Sequence, residues 1–204
     1  MSGDYAYLSR LNCFAISACY GRKADVRTRL ATNADLPTLH TLIPESVRAL
    51  STSFYSEAVI ESAIRYIFGV DTTLIADGTY FVAESESVIC GCGGWSKRRT
   101  LFGGDRHKSV DDPLLDPHTD AARIRAFFVA PAFARRGIGA LLMQTCATAA
   151  FNAGFRQLEL MATLPGVPLY LACGFRATEH VEHLLPNGVR IPFVRMHRTL
   201  VSPA

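Results

Sequence analysis

No run of 18 apolar residues occurs in this chain, so no segment is long and hydrophobic enough to span a bilayer as a helix. A basic region followed by a long apolar stretch is also missing near the N-terminus. The segment from Leu11 to Tyr20 comes nearest, but Asn12, Ser17 and two cysteines interrupt it, and no signal peptide is expected. Charge is scarce too. The 21 Lys and Arg against 18 Asp and Glu leave a formal +3, too weak a balance to argue for a nucleic-acid partner. Zinc spacing is absent, because Cys90 and Cys92 stand one residue apart with no second pair and histidine to answer them, and no metal is expected. Six cysteines could form disulfides, yet Cys90 and Cys92 fall in a strand pattern and Cys146 and Cys173 in or beside helix patterns. Free buried thiols in a reducing cytoplasm are the expectation. No internal repeat is visible.

What is present describes one globular domain. A chain of 204 residues, 49% hydrophobic, buries about 70% of the surface it would expose unfolded, enough for a core without staples. Residues 1–25 show no clean period and read as an N-terminal extension of uncertain order. Val26 to Leu30 alternates as a strand. Asn33 is the expected N-cap of a helix with Leu36, Leu39, His40 and Ile43 on one face, ended or bent at Pro44. Ser53 or Ser56 caps a second helix, with Val59, Ile60, Ala63, Ile64 and Ile67 as its apolar face and Gly69 as its stop. Tyr80–Glu84 and Ser87–Cys92 read as a hairpin of two strands. Arg123–Val129 is a strand stopped by Pro131, and the clearest helix runs from about Ile138 to Ala153. A strand at Phe155–Met161, a short helix at about Val167–Cys173 and a hairpin over Thr178–Leu184 and Val189–His197 complete the order.

Residues 96–120 break this rhythm. Lys97, Arg98, Arg99, Arg106 and Lys108 are followed by Asp111, Asp112, Asp116 and Asp120, with Gly103-Gly104, Pro113 and Pro117 between and after them. A loop of this length in a compact domain is either functional or a solvated insertion. As a functional element it is a candidate lid over an acceptor. Phe102 is its only aromatic residue, so support for base stacking is thin and no nucleic acid is expected.

The chemically informative stretch is Phe128-Val129-Ala130-Pro131-Ala132-Phe133-Ala134-Arg135-Arg136-Gly137-Ile138-Gly139-Ala140-Leu141-Leu142. A strand ends, a short turn follows, and glycines open a long helix. A helix start leaves N–H groups unpaired and carries positive potential. Gly137 and Gly139 remove side chains that would keep a ligand off that backbone, and Arg135 and Arg136 add charge, so the stretch reads as a phosphate or pyrophosphate cradle. The alternative is a tight turn with arginines in solvent. The Walker A pattern fails for want of Gly-Lys-Ser/Thr. The dinucleotide fingerprint fails because residue 142 is leucine.

The same stretch resembles the central coenzyme A motif of the GCN5-related N-acetyltransferase superfamily, Gln/Arg-x-x-Gly-x-Gly/Ala. Gly137 and Gly139 match its two small positions. The leading Gln or Arg falls on Ala134, a departure at a place whose role in the family is largely that of the backbone. Leu169-Tyr170-Leu171-Ala172-Cys173-Gly174-Phe175 is similar to the family's Phe-Tyr-x-x-x-Gly-Phe segment. The resemblance is closest over residues 124–176 and topological from Val26 to His197.

It implies an acyl-CoA N-acyltransferase fold over residues 26–200: an α/β (α+β) domain with a mixed, mostly antiparallel sheet of about seven strands and helices on both faces. It implies acetyl-coenzyme A as cosubstrate and transfer of its acetyl group to a primary amine of a small molecule or peptide. The backbone of Ala134, Arg135, Arg136, Gly137, Ile138, Gly139 and Ala140 would line the pyrophosphate. The free edge near Phe128 and Val129 would hold the pantetheine arm, and Tyr170 would face the departing sulfur as acid. For the base, Asp105 and His107 in the long loop are the candidates, beside deprotonation through water. A non-catalytic acyl-coenzyme A-binding sensor or scaffold is the alternative. A homodimer through the C-terminal hairpin is expected by the same resemblance, with no membrane partner.

Overall fold

The structure, a computed structural model, describes residues 26–105 and 112–201. The extension 1–25 lies outside them. In chain order the elements are β1 (Val26–Leu30), α1 (Leu36–Ser51), α2 (Glu57–Tyr66), α3 (Thr72–Ala76), β2 (Tyr80–Ser85), β3 (Val88–Ser96), β4 (Ala122–Val129), α4 (Ile138–Asn152), β5 (Gln157–Thr163), α5 (Val167–Ala172), β6 (Arg176–Leu184) and β7 (Arg190–Thr199). The strands form one seven-stranded sheet in the order β1-β2-β3-β4-β5-β7-β6. Every neighbouring pair is antiparallel except β4 and β5. This is the expected single-domain acyl-CoA N-acyltransferase fold.

The alternation of side chains along β2 shows why helices cover both faces. Tyr80 and Val82 pack with Leu39, Leu42 and Ile43 of α1 and Leu74 of α3. Ala83 turns to the opposite face and meets Ile138 and Leu142 of α4. On that second face Met143, Cys146 and Ala147 of α4 pack against Ile124, Leu158 and Leu160, with Tyr170 and Cys173 at the edge of the same cluster. On the first face Ile60 and Ala63 of α2 pack on Ile191 and Phe193 of β7. Cys90, Cys92 and Cys146 are free thiols, and with Cys173 they are buried as small side chains in these clusters.

Three local expectations change. α1 continues through Pro44 to Ser51, because Leu39, Leu42, Ile43 and Val47 bury a continuous stripe that outweighs the hydrogen bond a proline forfeits. Its start is set by Thr32 and Asp35, which cap a single 3-10 turn that includes Asn33; the Thr32 amide donates to the Asp35 carboxylate at 2.7 Å. α3 was not expected, since five residues are too few to show a helical period. Asp71 caps it, accepting from the Leu74 amide.

The long loop is docked to the α1–α3 face over its described residues. Arg98 forms a two-pronged ion pair with Asp77 at 2.7 and 2.9 Å. The Gly104 and Asp105 amides donate to Ile67 and Val70 carbonyls. Arg125 of β4, 1% exposed at its side chain, pairs with Asp71 at 2.8 Å and donates to the Gly103 carbonyl, tying the loop to the middle of the sheet.

Candidate active site

β4 runs beside β3 along its length but beside β5 for only two residues. The pairs Ala122↔Leu158 and Arg123↔Glu159 are made, and then the strands part. The cause lies on the other edge of β4. Between Cys92 and Gly94 the β3–β4 register shifts, so that Ala126 and Phe127 together oppose Gly93, and Ala126 takes a positive φ of 55°. An extra residue of this kind bends and twists the strand that carries it. Gly93 permits it, because a Cβ there would lie 2.7 Å from the Phe127 ring. Tyr80 donates its phenol hydrogen to the Ala126 carbonyl at 3.2 Å and holds the bulge. Where the strands still touch, Glu159 receives Arg123 from β4 and Arg195 from β7, a charge-assisted fastening at the apex.

The backbone facing this gap follows from ladder alternation. The Ala130 amide donates to Cys90 at 2.9 Å, and Gly91↔Val129 and Cys92↔Phe128 continue the register. In an antiparallel ladder successive residues turn their N–H and C=O to opposite sides. Phe128 therefore faces β3, and Val129 faces the gap. The Val129 amide donates there to Ser46 Oγ of α1 at 3.3 Å. Sequence reasoning passed over Ser46. Its signal was a polar residue on the apolar stripe of α1, beside Val47 and four residues after Leu42.

Beyond Val129 the chain makes a 3-10 turn at Pro131–Phe133, and the Ala134 amide closes it on the Pro131 carbonyl at 3.1 Å. Arg135 and Gly137 then adopt left-handed conformations, with φ of 63° and 83°. α4 begins at Ile138. Leu141 supplies its first amide with a helical acceptor, the Gly137 carbonyl at 3.0 Å, which leaves the Ile138, Gly139 and Ala140 amides without one inside the helix.

The two glycines separate in role. A Cβ on Gly137 would meet nothing within 4 Å, so that side is open and the positive φ is what selects glycine. A Cβ on Gly139 would meet Leu169 of α5 at 2.8 Å, so this glycine lets α5 close on α4. Arg135 and Arg136 are exposed, and Arg136 lies over the Phe133 ring at 5.4 Å.

Tyr170 sits on α5, 9% exposed, between the rings of Phe127 and Phe175 at 6.3 and 5.8 Å. Its hydroxyl makes no hydrogen bond to the described residues, yet it is not among the fully buried polar atoms that lack one. It therefore reaches accessible space. Burial pushes the phenol above its ordinary value of 10 and keeps the proton on it. Phe127, a neighbour of Tyr170, belongs to the bulge, so the tyrosine flanks the same distortion that opens the gap. The Asp105 carboxylate accepts the Thr72 amide at 3.0 and 3.1 Å, at the start of α3, and Tyr170 packs in the α4-side cluster. His107 falls outside the described residues. Among those residues no group of three or more His, Cys, Asp or Glu could hold a metal ion, and no helix is long and apolar enough to cross a membrane.

A family model described as acetyltransferase (GNAT) family matches residues 45–175. No curated protein matches the chain in sequence. Solved structures do match in fold. A GCN5-related N-acetyltransferase from Rhodopseudomonas palustris aligns with a TM-score of 0.64 and 19% identity, over 85% of this chain and 95% of that one. PaiA N-acetyltransferase from Thermoplasma acidophilum, solved with coenzyme A, gives 0.57 and 16% over 86% and 99%. A phosphinothricin acetyltransferase from Sinorhizobium meliloti, solved with acetyl-coenzyme A, gives 0.58 and 22% over 86% and 88%. With the parted β4–β5 seam, the glycine-led start of α4 and a family match across most of the sheet, the chain belongs to the acetyltransferase (GNAT) family.

Proposed function

We propose that this protein transfers an acetyl group from acetyl-coenzyme A to a primary amine of a small molecule or peptide, by direct attack with both substrates bound. The observation that carries the reading is the gap beside Val129 running into the cradle before α4. A long, thin donor with amides along its arm and a diphosphate at one end suits both parts. The residues fit such a group: unpaired amides at Ile138, Gly139 and Ala140, open space where a Gly137 side chain would stand, and two exposed arginines. Structural relatives bound to coenzyme A or acetyl-coenzyme A support the same reading.

Acetyl-coenzyme A supplies an acetyl group already activated as a thioester. The chain's own residues bind and orient. The α4 amides, with Arg135 and Arg136, hold the diphosphate by hydrogen bonds and charge. The edge at Val129 orients the arm. Tyr170 keeps its proton at neutral pH and offers it as a hydrogen-bond donor to the departing sulfur. The amine must be neutral to attack, and an alkylammonium titrates near 10.4. In this reading water takes the ammonium proton, since the Asp105 carboxylate already accepts the Thr72 amide at the start of α3. Purified protein incubated with acetyl-coenzyme A and a panel of primary amines should release free thiol only when an accepted amine is present. Tight coenzyme binding with no amine-dependent thiol would instead support a binding module without catalysis.

A further inference from the structure

Ser46 occupies a core-facing position of α1, among Leu39, Leu42, Ile43 and Val47, and is 4% exposed. A hydroxyl there has one hydrogen to give and two lone pairs to receive with. One lone pair takes the Val129 amide. A serine or threonine inside a helix commonly returns its own hydrogen to the carbonyl four residues earlier. Thr41 does so to Pro37, and Thr145 does so to Leu141 at 3.0 Å. Ser46 makes no such bond, and its hydroxyl hydrogen has no acceptor among the described residues. A buried donor without a partner, bonded to an amide of β4 that faces the gap, is a place where a ligand acceptor is missing.

Granting the donor site described above, we propose that Ser46 is a binding residue within it. Its hydroxyl takes the Val129 amide hydrogen and gives its own hydrogen to a carbonyl oxygen of the pantetheine arm along the open edge of β4. Receiving a hydrogen bond polarises a hydroxyl and strengthens the one it donates, so the pair acts as a short relay. Val129 stays bonded whether or not the donor is present.

Isothermal titration of the full chain with two probes tests this. Coenzyme A has the arm; 3′-phosphoadenosine 5′-diphosphate has the diphosphate without it. Ser46→Ala should weaken coenzyme A roughly tenfold and leave the armless probe unchanged. Ser46→Thr, which keeps the hydroxyl, should recover most of the loss. Ser46→Cys, close in shape but a poor donor, should behave like alanine and stands in should the alanine protein fail to fold. Equal or tighter coenzyme A binding by the alanine and cysteine proteins overturns the inference, because Ser46 would then only shield the Val129 amide. Equal weakening of both probes overturns it too, as a general disturbance. A wild-type protein that binds neither probe overturns the acetyl-transfer reading first, and this inference with it.

Discussion

β5 has two neighbours, and they treat it differently. With β7 it pairs at seven consecutive residues, Gln157↔Thr199 through Thr163↔Phe193, with no shift of register. With β4 it pairs at two. The full seam buries Leu158, Leu160 and Ala162 beside Val194 and Met196. The parted seam leaves backbone groups of β4 facing a gap, which costs stability unless a ligand, water or side chain satisfies them. That cost is localised. The bulge at Ala126 opens the strands, Ser46 covers one amide, and Glu159 between Arg123 and Arg195 stops the parting at its apex. Positive φ at Ala126 and Arg135, non-glycine residues on either side of the seam's open end, adds about 1–2 kcal/mol each. Positive φ also occurs at Glu86 and Ser87 between β2 and β3, and the β2–β3 and β6–β7 ladders also shift register; at the β4–β5 seam the strain accompanies parted strands, which marks a place shaped for something other than stability.

The largest expected effect leaves the seam intact and removes the chemistry at its mouth. Tyr170→Phe should lower kcat by about 10²-fold or more, with coenzyme affinity unchanged, in steady-state assays paired with calorimetry. Because burial holds the phenol above its ordinary 10, the wild-type rate should show no alkaline fall assignable to this group near pH 10.

Cutting the apex comes next. Glu159→Leu strands the Arg123 guanidinium, 16% exposed at its side chain, and leaves Arg195 with its longer pair to Glu179 at 3.8 Å; it should cost about 3 kcal/mol in urea unfolding. Glu61→Ala, which breaks the exposed pair with Arg48, should cost far less, because water screens that pair. Equal costs would mean that the apex fastening is unimportant.

Gly137→Val puts a β-branched residue at a φ of 83° in the cradle. It should weaken coenzyme binding about tenfold while leaving the β5–β7 seam protected in hydrogen exchange.

The smallest effect lies farthest from the gap. Arg29 pulls the Asp35 carboxyl from its ordinary 3.8 to about 2. A depressed folded pKa stabilises above the unfolded value and loses that contribution as pH falls from about 4 toward 2. Asp35→Asn should flatten the acid limb of the melting temperature in that window and leave coenzyme affinity alone.

How much of this the sequence carries depends on the range of the interactions. The glycine-led start of α4 was legible because its ingredients are adjacent: a strand end, Pro131, two glycines and a helix. The place of Tyr170 on a short helix was legible through the segment around it. The separate duty of Gly139 was not, because it arises from Leu169, 30 positions away in the chain. Phe128 and Val129 both looked able to serve the gap. Only the register past the bulge decides between them, and one inserted residue reverses every orientation after it. Ser46 stood in plain view as a polar residue on an apolar stripe, but its partner is 83 positions distant. Asp105 drew attention as a carboxylate in a long loop, and its contact with the Thr72 amide, at the start of a five-residue helix, depends on an element too short to foresee.

The most direct test of the account is an amide-resolved NMR titration of the protein with coenzyme A. The account predicts that the largest shifts fall on Ile138, Gly139 and Ala140, with Val129 moving in step and β7 silent. Shifts confined to other parts of the sheet, or none at the start of α4 at saturating ligand, would contradict it.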